Sequence, residues 1–136
     1  VPGDLILAGE WDKIEQLTRE AVQTMLGFEL AHIGVNSESK EEADKTVNRL
    51  AFLFGLPVKV GSGGSFAGTI VEVLNAHGRG TKGHIAIRTN YMERAINYME
   101  AVLGVEFEAP IMKSDKINAI YLKEEIGGFA VHLLQK

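Results

Sequence analysis

The sequence contains one short pattern twice, and this repeat restricts the fold more than any other feature. Leu30-Ala-His-Ile-Gly-Val35 matches Lys82-Gly-His-Ile-Ala-Ile87, which places His32 and His84 at equivalent points, 52 residues apart. Alternating apolar residues in both stretches are typical of strands. A pattern that recurs at this distance indicates two copies of one structural unit.

The repeat continues later in each copy. Ile70-Val-Glu-Val-Leu74 matches Ala130-Val-His-Leu-Leu134, which aligns Glu72 with His132, 60 residues apart. The second offset is larger than the first, and a longer hairpin around residues 112–118 would account for the extra length. Both halves of the repeat therefore carry a ligand-type side chain in the middle of an apolar strand.

Hydrophobic residues recur at helical spacing in three segments. The second predicted helix begins in the capping box Ser39-Lys-Glu-Glu42 and ends at Gly55. For the third helix, Asn90 is the expected cap and Gly104 the expected end. The three segments are residues 10–26, 38–54 and 91–103. The apolar stripe of the second consists of Ala43, Val47, Leu50, Ala51 and Phe54.

The segments between the helices predict strands. The loop-like stretch 75–81 separates the two copies, and Gly127-Gly128 forms the last turn. The stretch 61–70 should contain one further break, which the sequence does not place. The predicted strands are residues 28–36, 58–60, 66–74, 83–88, 105–107, 119–122 and 129–134. The order predicts an α+β fold of two paired β-α-β-β-β modules that form an open barrel-like sheet, preceded by an N-terminal helix.

Composition excludes several classes of protein. The chain has 136 residues, 46% hydrophobic and 24% charged, which is typical of a globular domain. A net charge of −4 without a basic stripe argues against nucleic acid as a partner. No apolar run has membrane-spanning length and no signal peptide is visible, so we expect no membrane partner. Cysteine is absent, which is compatible with a cytoplasmic location.

The four repeated ligand-type positions predict a metal site. Small residues, Gly34 and Ala86, lie two positions after the first pair of histidines and should leave room for another group beside each imidazole. A lone carboxylate among apolar residues costs on the order of several kcal/mol unless it is paired or bound to a cation. Three imidazoles and one carboxylate suit Zn, Ni, Fe or Co, and do not suit Ca or Mg. The predicted ligands are His32, Glu72, His84 and His132.

Less specific interpretations compete with that prediction. A single strand histidine is usually a core or surface residue, and only the joint pattern favours ligation. His77 lies in the linker-like stretch and is interpreted as a solvated loop residue. The stretch Gly61-Ser-Gly-Gly-Ser65 could cradle a phosphate, but no helix clearly follows it, and a hairpin turn is favoured.

The His-Ile-x-Val/Ile strands at His32 and His84, together with the later strands that contain Glu72 and His132, resemble the vicinal oxygen chelate superfamily. This superfamily includes glyoxalase I, extradiol dioxygenases and fosfomycin and bleomycin resistance proteins. The resemblance covers residues 28–136 and implies modules 28–80 and 81–136 that curl around a metal. It implies His or Gln ligands on the first strand of each module and Glu on the last. His132 departs from that pattern, since Glu is common at its position. Glyoxalase I-like chemistry often uses a glutamate at that fourth position as ligand and base, and here only Glu72 remains to do so.

The first 27 residues resemble a different family. Val-Pro-Gly-Asp4, Ala8-Gly-Glu-Trp-Asp-Lys-Ile14 and Leu17-Thr-Arg-Glu-Ala21 are similar to the last loop and helix of bacterial 2-keto-3-deoxy-6-phosphogluconate / 4-hydroxy-2-oxoglutarate aldolases. The resemblance implies an upstream aldolase domain in a longer protein. We expect the helix at 10–26 to lie outside the modules, with its apolar stripe covered by them or by a second chain in a homodimer.

Three functions remain open from the sequence. The first is a metal-assisted lyase or isomerase that abstracts a proton next to the carbonyl of a small substrate such as a 2-oxo acid, with Glu72 as the proton-transfer group. The second is a non-catalytic metal or metabolite-binding module attached to an aldolase. The third is a metal-free binding cleft of the bleomycin-resistance kind. Fold alone does not decide among them.

Overall fold

The computed structural model describes all residues from Val1 to Lys136. Its helices are α1 (Gly3–Leu7), α2 (Trp11–Leu26), α3 (Lys40–Phe54) and α4 (Met92–Ala101). Its strands are β1 (Glu29–Val35), β2 (Val58–Val60), β3 (Gly64–Ala67), β4 (Val71–Leu74), β5 (Gly83–Thr89), β6 (Ile111–Lys113), β7 (Lys116–Ile126) and β8 (Phe129–Gln135). None of the helices is both long and apolar enough to cross a membrane.

All eight strands belong to one open sheet in the order β2-β3-β4-β1-β5-β8-β7-β6. The first four strands and the last four are each arranged as β-α-β-β-β units, which confirms the predicted fold. In each unit the first strand pairs in parallel with the last, and the two first strands, β1 and β5, pair antiparallel at the centre.

The central pairing relates the two units by a pseudo-twofold axis. Ile33 pairs with Ile85, and on either side of that pair His32 lies opposite Ala86 and Gly34 opposite His84. Exchanging the units therefore exchanges His32 with His84, as the offset of 52 residues predicts. The internal repeat of the sequence thus corresponds to a repeat in space.

The first half of the chain agrees closely with the predicted elements. The Ser39 side chain accepts a hydrogen bond from the Glu42 backbone N–H at 3.2 Å and caps α3. The Glu42 carboxylate reaches back to the N–H of Glu38 at 2.7 Å, one residue before the cap. Residues 68–70 separate β3 from β4, which places the break that the sequence left open.

The second half requires two corrections. The predicted strand 105–107 is wrong, because Phe107 makes only an isolated bridge to Leu122. Pro110 follows, and since proline has no N–H to donate, regular pairing begins again only at β6. The predicted cap Asn90 is also wrong, because its side chain donates to the carbonyl of Met25.

Tyr91 is instead the N-cap residue of helix α4, and the Gln135 side chain completes the first turn of the helix. Gln135 Oε1 accepts from the N–H of Met92 at 2.9 Å, while its Nε2 donates to the carbonyl of Asn90 at 2.8 Å. The last residue of β8 therefore fixes the start of the helix that follows β5. No local sequence pattern predicts that Gln135 would cap a helix whose first residue lies 43 residues earlier.

Helix α2 lies outside the sheet, and its C-terminal end is anchored in the core. Leu26 is fully buried in a cluster with Met92, Ala95, Ile120 and Leu133. The carbonyl of Leu26 also accepts the Thr89 hydroxyl at 2.8 Å. The second core cluster comprises Ala43, Val47, Ala67 and Val73 and joins α3 to β3 and β4.

Candidate metal centre

The four predicted ligands lie on the four central strands of the sheet. His32 is on β1, His84 on β5, Glu72 on β4 and His132 on β8. The parallel pairings set Glu72 beside Gly34 and His132 beside Ala86, so the pseudo-twofold exchanges these two positions as well. The sheet therefore brings both repeated pairs of residues to one place.

The side chains meet at short distances. His32 Nε2 lies 3.0 Å from His84 Nε2. Glu72 Oε2 lies 3.4 Å from His32 Nε2 and 3.3 Å from His84 Nε2. One ligand nitrogen from each of His32, His84 and His132 lies within 4.8 Å of the other two. Glu72 meets this histidine group through a single carboxylate oxygen.

Gly34 explains how the His84 ring reaches this position. A Cβ atom at residue 34 would overlap three atoms of the His84 imidazole. The sequence predicted that small residues beside the histidines would leave room for another group, and at Gly34 that group is the partner histidine itself. The glycine is therefore a steric requirement of the cluster.

His132 is buried in the cluster and has no hydrogen-bond partner. It is 5% exposed, and both ring nitrogens are buried without a partner. Burial lowers its pKa from 6.5 to about 4, with a further contribution from the nearby His84 and His32. Because a buried polar nitrogen normally has a partner, this imidazole is a neutral donor group with unused coordinating capacity.

Two of the other predicted ligands, His32 and Glu72, also have pKa values shifted toward their metal-binding forms. Burial lowers the pKa of His32, against the opposing attraction of the Glu72 carboxylate. A hydrogen bond from His84 lowers the pKa of Glu72, and this outweighs the cost of burying the carboxylate. The cluster therefore presents a neutral imidazole at His32 beside an ionised carboxylate, the forms in which these side chains bind metals.

The donor distances among His32, His84 and Glu72 fit a small divalent ion, whereas the His132 nitrogen lies within 4.8 Å of the other two histidine nitrogens. Metal–ligand bonds of about 2.0–2.1 Å in a tetrahedral site place two donor atoms about 3.3 Å apart. The donor separations among His32, His84 and Glu72 are 3.0, 3.3 and 3.4 Å. A nitrogen- and oxygen-containing set of this size suits Zn, Ni, Fe or Co better than Ca or Mg.

Aromatic residues flank the cluster on both sides, and the sequence analysis did not identify them. Phe66 on β3 contacts the edge of His32, with ring centroids 5.5 Å apart. Tyr121 on β7 stacks on His132 at 4.6 Å and 22°. Each aromatic residue pairs across strands with Glu72 or His132. An aromatic residue opposite Glu72 and another opposite His132 are recognisable as the walls of the site once the strand register is known.

A charged pair closes the side of the site formed by the second unit. The Arg79 guanidinium lies 4.5 Å from the centre of the Tyr121 ring and forms an ion pair with Glu108. Burial raises the pKa of Tyr121, which keeps its phenol protonated. His132 is thus covered by a phenol ring, and the ring is covered by a guanidinium.

The remaining predicted features lie apart from the cluster. His77 is exposed, with its Nε2 3.5 Å from Asn36 Nδ2 and its Nδ1 3.1 Å from the carbonyl oxygen of Gly78. Residues 61–63 connect the antiparallel strands β2 and β3, which confirms the hairpin interpretation of the Gly61–Ser65 stretch. Both features are outside the group formed by the three histidines.

Comparison with known proteins supports the fold. No protein-family model and no curated protein sequence matches the chain. A solved structure of a hypothetical protein from Bacillus halodurans C-125 is 18% identical, with a TM-score of 0.56 over 80% of this chain and 94% of that one. A "putative dioxygenase" from Bacillus subtilis subsp. subtilis strain 168 is 23% identical, with a TM-score of 0.30 over 77% of this chain and 37% of that one. The first likeness is one of fold alone, and the second is too weak to carry an argument.

Proposed function

We propose that this chain is a glyoxalase-related domain that binds a divalent transition metal through His32, Glu72, His84 and His132. The observation that carries the proposal is the buried His132 ring, whose two nitrogens have no partner although two more histidines and a carboxylate lie beside it. A bound ion would satisfy this donor and offset the cost of burying the group.

We further propose that the domain abstracts a proton next to the carbonyl of a small substrate such as a 2-oxo acid. A bound metal would supply Lewis acidity for the negative charge that develops on the substrate oxygens. Glu72 would transfer the proton when its carboxylate leaves the metal or sits beside it. Its side chain is 20% exposed and borders a cavity, whereas that of His84 is 7% exposed. Phe66 and Tyr121 would exclude water from the two flanks.

Metal content tests the first proposal. The chain, purified without chelator, should contain about one equivalent of Zn, Ni, Fe or Co by elemental analysis. His84→Ala should lose the metal and retain its circular dichroism spectrum, because the ring lines a site rather than either hydrophobic cluster. His77→Ala is the matched control and should retain the metal. A metal-free wild-type chain that takes up no ion on titration would contradict the proposal.

A non-catalytic binding module is the alternative function. Four protein donors can fill a tetrahedral shell, and closed shells are more often structural than catalytic. Exchange of substrate protons for solvent deuterium, followed by NMR on small 2-oxo acids, separates the two functions. Catalysis predicts exchange that Glu72→Gln abolishes, whereas a binding module predicts none with either protein.

Several expectations from the sequence stay predictions. They include the division at residues 27 and 28, the module boundary at residues 80 and 81, and an upstream aldolase domain. A homodimer and a cytoplasmic location also stay predictions. None of them is needed for the metal proposal, because all four donors lie within one chain.

A further inference from the structure

The two flanks of the cluster differ in charge and in access. On the second unit's side, Arg79 is engaged by Glu108 and covers Tyr121. On the first unit's side a cavity of about 240 Å³ borders Glu72. Its other lining residues are Lys59, Val60, Gly61–Gly64 and Phe66. A ligand that approaches the cluster would therefore enter from the first unit's side.

Lys59 stands at the far end of this cavity on the same face of the sheet as Glu72. Lys59 on β2 pairs with Phe66 on β3, and Phe66 pairs with Glu72 on β4. Residues paired across neighbouring strands project to the same face. The three side chains thus form one row that leads from the metal cluster to the edge of the sheet.

Lys59 is the only cationic residue that lines the cavity, and its ammonium group has no ion-pair or hydrogen-bond partner. Glu72 is the only other charged residue of the lining, and Lys59 forms neither an ion pair nor a side-chain hydrogen bond. Neighbouring strands are about 4.8 Å apart, so the backbones at Lys59 and Glu72 are separated by about 10 Å. A chain of a few carbons lying over Phe66 would therefore span the distance from a group at Glu72 to an anion at Lys59.

From this row we propose that Lys59 selects substrates with a second anionic group, a carboxylate or phosphate several atoms from the carbonyl that reacts. The inference rests on the proposed function and names the substrate class of the same site. Glu72 and the histidines hold the reacting end, Phe66 packs on the connecting carbons, and Lys59 binds the distal anion by a charge-assisted hydrogen bond. A monoanionic 2-oxo acid of the same length would leave the Lys59 ammonium in water.

Two probes that differ only at the distal end test the inference. Calorimetric titration of the metal-loaded chain should show tighter binding of 2-oxoglutarate than of 2-oxopentanoate, by about five- to tenfold. Lys59→Ala should remove this preference and leave metal content and 2-oxopentanoate binding unchanged. Lys59→Arg should retain the preference. Lys113→Ala is the matched control, since Lys113 lies on the opposite edge strand β6 and should have no effect.

The outcomes separate this inference from the proposed function. Equal binding of the two probes by a metal-loaded wild-type chain would overturn the role of Lys59 and leave the metal proposal standing. If Lys59→Ala still bound 2-oxoglutarate more tightly than 2-oxopentanoate, the role of Lys59 would likewise be overturned and the metal proposal would stand. A wild-type chain that binds no metal would overturn both.

Discussion

At the scale of single residues, the cluster depends on one position without a side chain. The His84 ring occupies the space where a Cβ of residue 34 would lie. The equivalent position in the second unit is Ala86, opposite His32, so the twofold relation is broken where the rings meet. The His84 ring therefore lies over the backbone of Gly34, and His32 lies opposite the methyl group of Ala86. The His84 side chain is 7% exposed and that of His32 is 14% exposed.

Gly34→Ala should strongly weaken metal binding with only a moderate loss of stability. The added methyl group displaces the His84 ring, which can rotate away at a cost of about 1–3 kcal/mol. Metal affinity should fall by about 100-fold or more, because a donor leaves the cluster. Titration with a metal indicator measures the loss. Gly63→Ala is the control, since its Cβ would meet no atom within 4 Å. Unchanged affinity in Gly34→Ala would show that His84 is not a ligand.

His132 gives the metal-free protein an acid-sensitive stability. Its pKa is about 4 when folded, against the ordinary 6.5 expected when unfolded. The stabilising contribution is complete above pH 6.5 and is lost as the pH falls from 6.5 toward 4, because the unfolded chain binds the proton first. Urea unfolding of chelator-treated protein should show a slope of up to about 1.4 kcal/mol per pH unit from this group. In His132→Asn that slope should decrease, and an identical slope in both proteins would contradict this account.

At the scale of elements, local signals predicted the three long helices, missed the short α1 and left the strand-pairing partners open. The stripe Ala43 and Val47 is buried as predicted, because periodicity reports which helix face meets a sheet. Phe54, in the same predicted stripe, is the last residue of α3 and is 67% exposed. Arg79 and Gln135 acquire their roles through contacts with distant residues, and no periodic pattern encodes those contacts.

The metal cluster was predictable for a different reason. The repeat aligned His32 with His84 and Glu72 with His132, and a pseudo-twofold axis converts such alignment into proximity. The flanking Tyr121 was missed because residues of β7 and β8 pair in a register with an irregularity, which alternation alone does not reveal. The sequence repeat thus identified the predicted ligands. The flanking aromatic residues Phe66 and Tyr121 could be identified only from the strand register.

Helix α2 provides a test of how firmly the N-terminal segment belongs to the fold. Leu26→Ala should lower the free energy of unfolding by about 2–5 kcal/mol, because the side chain is fully buried among residues of α4, β7 and β8. Leu7→Ala, at a leucine that is 91% exposed, should change it by less than about 0.5 kcal/mol. Chemical denaturation measures both. Similar effects would mean that α2 is not anchored as described.

At the scale of the whole molecule, the twofold relation gives positions 72 and 132 equivalent places beside the histidines. The two positions differ in their access to solvent. Both positions lie on the last strand of a unit, next to the first strand of the same unit. Glu72 borders the cavity that contains Lys59, whereas His132 lies under Tyr121. Metal binding needs only the set of donors, and proton transfer also needs the carboxylate on the open side.

The double variant Glu72→His/His132→Glu should therefore separate the two properties. It keeps three imidazoles and one carboxylate around the same centre, so about one equivalent of metal should still bind, with affinity reduced about tenfold by burial of the carboxylate under Tyr121. Deuterium exchange into a 2-oxo acid should be lost, since no carboxylate faces the cavity. Elemental analysis and NMR measure the two properties on one sample. Loss of the metal would show that positions 72 and 132 are not equivalent, and retained exchange would remove Glu72 from the proposed chemistry.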